Sequence, residues 1–148
     1  MSDPVELRRF PSGDAEALRE LLALYRCAGW VAAEESGEFL PRAVAGSTAA
    51  VGAFSGGKLV GFARLISDGA SDGYVQDVVV APEFRKQGIG GKLVKSVIAA
   101  GRRAGVDWIG IVGVPGSERF YQSLGLTESP GHTLWMAGSD PASEQESR

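Results

Sequence analysis

Hydrophobic positions along this chain change their period several times, and each change marks an element. Residues 5–10 alternate and predict a first strand, closed by the turn Pro11-Ser12-Gly13. Asp14 then stands as an N-cap before Ala17, Leu18, Leu21, Leu22, Leu24 and Tyr25, which recur at helical spacing until Gly29 ends the helix. Residues 30–48 keep no clean period. Trp30, Phe39 and Leu40 ask for burial among acids and glycines, and a short helix is expected within 36–45. Beyond it, 49–55 and 58–67 read as two strands of a hairpin, with Gly56-Gly57 as a two-residue loop. A polar turn over 68–73 leads into a strand at 74–80. The helix at 90–103 puts Leu93, Val94, Val97, Ile98 and Gly101 on one side. Residues 108–112 are almost without polar groups, which predicts a strand buried on both faces. A short helix at 117–124 and a last strand at 133–137 complete the series. The order β-α-(α)-β-β-β-α-β-α-β predicts a mixed sheet with helices on both faces. No internal repeat appears, so one domain is expected over 1–138, with a polar, disordered tail at 139–148.

The stretch most loaded with chemistry is 75–94, VQDVVVAPEFRKQGIGGKLV. A hydrophobic strand runs through a turn into Arg85-Lys86-Gln87-Gly88-Ile89-Gly90-Gly91 and then into an amphipathic helix. Such a loop exposes backbone N–H groups at a helix N-terminus, where the peptide dipoles add partial positive charge. Glycines let the backbone approach a ligand that a Cβ would push away. Arg85, Lys86 and Lys92 add full charges. The conclusion is an anion site suited to a pyrophosphate. It is not the dinucleotide fingerprint, because position 93 is Leu93, and no G-K-[ST] follows the glycines.

Arg85-x-x-Gly88-x-Gly90, after Val78-Val79-Val80-Ala81-Pro82-Glu83-Phe84, resembles motif A of the GNAT superfamily of acetyl-CoA-dependent N-acetyltransferases. About thirty residues on, Phe120-Tyr121-Gln122-Ser123-Leu124-Gly125-Leu126 resembles the superfamily's F-Y-x-x-x-G-F segment. The resemblance is firm over residues 49–136 and loose before them. It implies an α/β (α+β) fold with a mixed, mostly antiparallel central sheet of six to seven strands and about four flanking helices. It also implies acetyl-CoA as cosubstrate. The loop Arg85, Lys86, Gln87, Gly88, Ile89, Gly90 and Gly91 would hold the pyrophosphate. The main chain of Val78 and Val80 would pair with the pantetheine amides like an added strand. In that family the strands before and after the motif A helix splay apart to admit the arm.

Direct transfer from a thioester to an amine needs alignment, a route for the amine's proton and a proton for the departing thiolate. By resemblance Tyr121 supplies that last proton, its phenol being protonated at neutral pH. Its alternative role is as core partner of Phe120. The base is open. Some relatives carry a glutamate or histidine on the strand before motif A, where this chain has Gln76, and an amide accepts no proton. Asp77 is next to it, an acid in an apolar run that is costly to bury unless hydrogen-bonded. Alternation sends it to the opposite face from Gln76 unless a bulge intervenes, and a structural anchor and a base are equal readings. Asp72 and Glu83 are weaker candidates, His132 reads as a loop residue, and a water chain remains an alternative. The acceptor's wall would come partly from 30–40, including Glu34, Glu35 and Glu38.

Composition narrows the field. The chain has 148 residues, 44% hydrophobic and 22% charged, as for an ordinary globular domain. Its net charge of −3 gives no reason to expect a nucleic-acid partner. Cys27 is the one cysteine, expected to be a buried structural thiol, and with a single histidine beside it no metal site is expected. No apolar run approaches the ~20 residues of a membrane span, and the first ten residues lack the apolar core of a signal peptide, so a cytoplasmic location is expected. The leading reading is acetyl transfer to a primary amine, a small molecule more than a protein lysine or N-terminus. A silent acyl-CoA-binding module and a nucleotide-binding domain are the competing classes. Terminal strands of such folds often pair or exchange, which makes a homodimer one expected assembly.

Overall fold

The computed structural model describes residues 3–138; the expected tail, 139–148, lies outside the described residues. Five strands, β1 (Val5–Arg9), β2 (Ala49–Ser55), β3 (Lys58–Ser67), β4 (Asp72–Val80) and β5 (Trp108–Ile111), form one sheet in chain order. Neighbours are antiparallel except β4 and β5, which run parallel. A parallel pair needs a crossover, and here it is the helix α3 (Ile89–Arg103). Helices α1 (Ala15–Cys27) and α2 (Leu40–Ala45) precede the hairpin, and α4 (Glu118–Ser123) follows β5.

Local chemistry accounts for the boundaries. The Asp14 carboxylate accepts the N–H of Ala17 at 3.0 Å and starts α1. At its other end Gly29 has φ +79°, and the N–H groups of Gly29 and Trp30 return to the carbonyls of Arg26 and Tyr25. These paired bonds need a left-handed residue just past the helix, which is why a glycine ends it. Gly56 and Gly57, both at positive φ, close the β2–β3 hairpin as its two-residue loop requires.

The alternation of β3 sets the layers. Phe62 packs edge-on against Phe10 and lies beside Tyr25 of α1, so even positions of β3 there face α1 and α2. Gly61 and Leu65 face the opposite way, against Leu93 and Gly101 of α3. Leu21, Phe62, Leu65, Leu93 and Val97 are sealed from solvent. Each contributes roughly 1.5–3 kcal/mol over an exposed position.

Three expectations fail at the C-terminal end. Among the described residues the sheet has five strands, not six to seven, because 133–137 forms no ladder; Leu134, Trp135 and Met136 lie exposed. A strand exists only through its neighbours, and this segment meets none among the described residues. Likewise β5 is not buried on both faces. It is the edge strand, with Trp108 half exposed, and Val112 lies just past its end. Cys27 is exposed, because the last turn of α1 carries it off the face that Leu21, Leu24 and Tyr25 bury.

Candidate active site

Two departures from ideal geometry lie at the two ends of one strand segment. The first is a bulge in β4. Gln76 pairs with Arg64 and Val79 with Phe62, so three steps along β4 match two along β3. Asp77 takes up the extra residue at φ +58°, in the left-handed region that aspartate tolerates better than most side chains. The bulge breaks alternation, so Asp77 turns to the α1 side, the face its pairing with Arg64 also gives Gln76. There the Asp77 Oδ2 accepts from the Tyr25 hydroxyl at 2.6 Å and from the Arg64 Nε at 2.7 Å. Arg64 is held in turn by the Ser47 Oγ at 3.4 Å and the Ala43 carbonyl at 3.5 Å. Tyr25 is itself buried. Burial first, then the hydrogen bond and charge of Asp77, push its phenol far above the ordinary tyrosine range, with Arg64 opposing.

At the same place β4 loses its other partner. Pairing with β5 runs from Asp72–Trp108 to Val75–Ile111 and stops. Beyond Val75, β4 continues without a partner on that side, since β5 ends at Ile111. The Ala81 N–H donates to the Val60 carbonyl on β3, so the alternation of an antiparallel ladder turns the main chain of Val80 toward the gap. Its carbonyl is met there by the Arg85 Nε at 3.1 Å.

The second departure is the loop that follows. A single 3₁₀ turn, Pro82–Phe84, carries the chain to Lys86 at φ +61° and Gly88 at φ +78°. Asp77 and Lys86 are the non-glycine residues at positive φ among the described residues. Gly88 caps α3, where a side chain would be strained although the space beside it is open. The first N–H of this helix to find a carbonyl is that of Lys92, which donates to Gly88. The N–H groups of residues 88–91 have no partner in the described protein, as expected for a first helical turn. Gly91 serves packing as well, since a Cβ there would stand 2.8 Å from Leu124.

Gap and loop join in one cleft of about 500 Å³. It brings together Val78, Val80, Arg85, Lys86, Gly88, Ile89, Gly90 and Gly91 from the expected cofactor set, and Tyr121 from the expected catalytic pair. Gln87 and Asp77 do not line it. Phe84 and Phe120 do, although neither was among the expected site residues. Phe120 stands edge-on to Tyr121, ring centres 4.9 Å apart, so the two readings of Tyr121 hold together: it is a packing partner and a cleft residue. Burial raises its phenol above the ordinary value, which keeps the proton on it at neutral pH. The unpartnered N–H groups, the two cations and the apolar floor fit a pyrophosphate joined to an uncharged arm. Asp72, Glu83 and His132 are exposed and lie outside the cleft, His132 beside the Ser129 hydroxyl.

Tyr25 and Arg64 are the residues that sequence reasoning missed. The signal was present, because Arg64 interrupts an apolar strand as Asp77 does, and two opposite charges in adjacent apolar strands ask for each other.

The family model for the Acetyltransferase (GNAT) family matches residues 10–126. The chain belongs to that family. Among relatives, an uncharacterized N-acetyltransferase, ycf52, of Pyropia yezoensis is 36% identical over 73 residues, which are 49% of this chain and 42% of the relative. The serotonin N-acetyltransferase 2, chloroplastic, of Oryza sativa subsp. japonica is 35% identical over 83 residues, 56% of this chain and 42% of that protein. The chain thus spans less than half the length of these curated relatives. Among solved structures, the GNAT-family acetyltransferase SP0256 of Streptococcus pneumoniae superposes with a TM-score of 0.70 at 25% identity, covering 94% of this chain and 100% of that one.

Proposed function

We infer that this GNAT-family chain transfers an acetyl group from acetyl-CoA directly to a primary amine, in a complex holding both substrates. The observation that carries the reading is the junction of a stretch of β4 that has no partner on the β5 side with the unpartnered N-terminus of α3, beside Tyr121. Residues 88–91 would hold the pyrophosphate through backbone N–H groups, with Arg85 and Lys86 adding charge. Val78 and Val80 would align the arm. The bound thioester supplies the activated acyl group. Tyr121 holds a proton for the sulfur as it departs.

Asp77 is better suited to position than to accept. Its Oδ2 already takes two donors, the Tyr25 hydroxyl and the Arg64 guanidinium. We assign it the role of fixing the bulge, and give the amine's proton to water in the gap. The acceptor is read as a small molecule, supported by the name of the rice relative.

Calorimetric titration tests the reading. Acetyl-CoA and CoA are expected to bind with micromolar affinity and ATP not to bind. Absence of binding by either CoA species would sink it.

A further inference from the structure

We propose that the acceptor is a primary amine with an aromatic body, seated on Trp30 and Phe39. This rests on the acetyltransferase reading above and deepens it. The first step is direction. The loop that suits pyrophosphate follows Val80, so an arm laid along β4 runs back from Val80 through Val78 toward the bulge at Gln76 and Asp77. Its acyl end therefore falls where β4 leaves β5, beside the Tyr25–Asp77 hydrogen bond.

The second step is what stands there. Trp30 meets the Tyr25 ring edge-on at 5.2 Å between centres, and Phe39 lies 6.5 Å from the same ring. Both are large aromatics left about half open, at 47% and 48% exposure. The helix cap explains why Trp30 touches Tyr25, because the residue after the left-handed glycine commonly packs back on the last turn. It does not explain why half of the indole stays wet, or why a phenyl ring from the next connection stands half open against the same tyrosine. Two half-open aromatic rings around one buried phenol, on the face to which the bulge turns Asp77, form a seat for a flat apolar group. A strongly hydrated acceptor such as an amino sugar would gain little from it.

The test compares 2-phenylethylamine with ethanolamine and a lysine-containing peptide in a thiol-release assay. The wild-type protein is expected to favour 2-phenylethylamine in kcat/KM. Phe39→Ala is expected to raise the KM for that amine about tenfold, with a smaller change for ethanolamine and none in acetyl-CoA affinity by calorimetry. Trp30→Leu keeps the contact that the cap needs while removing the ring face, and is expected to act in the same direction in a chain that still folds. Preference for ethanolamine or the peptide, or an unchanged KM in both variants, overturns the proposal while leaving acetyl transfer standing. Failure to bind acetyl-CoA overturns both.

Discussion

At the scale of single residues, three tyrosines share one chemistry and have three environments. Tyr74 lies open beside Trp108, ring centres 5.5 Å apart, while Tyr121 is half buried and Tyr25 is buried with a carboxylate and a guanidinium at hand. For Tyr121, the expected consequence is catalytic. Tyr121→Phe keeps the packing against Phe120 and removes the proton, so kcat should fall by about 10²–10⁴-fold with acetyl-CoA affinity unchanged. A variant that turns over normally would move the acid elsewhere. For Tyr25, the consequence is stability in alkali. Its folded phenol binds its proton more tightly than the unfolded chain does, so its contribution is complete below pH ~10 and falls as pH rises further. The slope is at most about 1.4 kcal/mol per pH unit for one group. Urea midpoints of the wild type should therefore drop more steeply between about pH 9 and 11 than those of Tyr25→Phe. Parallel curves would show that this phenol does not titrate on unfolding.

At the scale of elements, α3 is where sequence and structure agree best. The glycine-basic loop and the apolar stripe were both legible, because each is a local property of consecutive residues. Glu introduced at position 90 would stand beside Phe120 and Val80, whose atoms lie 3.4 and 3.7 Å from where its Cβ would be, and would place a charge against a pyrophosphate. Gly90→Glu is thus expected to abolish acetyl-CoA binding while thermal unfolding still reports a folded chain, and a folded variant that binds normally would reject the site. Elements that depend on distant partners were read less well. The bulge at Asp77 was stated only as a condition, since a one-residue insertion in a ladder is a property of two strands together. The last strand failed for a related reason: Leu134, Trp135 and Met136 look like a strand locally, but only a neighbour's free edge makes one. The Asp77–Arg64–Tyr25 cluster draws on three elements, and no short window of sequence contains it.

At the scale of the molecule, the sheet is fully paired at one end and incomplete at the other. The hairpin and α3 make the rigid half, in which Leu65, Leu93 and Val97 are sealed from solvent. In the other half β5 ends at Ile111, so β4 has no strand partner on that side beyond Val75 although it lies inside the strand order. A free main-chain edge of this kind is a template for any passing strand, including one from another copy in a concentrated solution. The features that shape the cleft also guard it. The bulge skews the ladder just where pairing stops, and the Arg85 side chain folds back to occupy the Val80 carbonyl. The protein thus covers part of its unfinished sheet with its own cation.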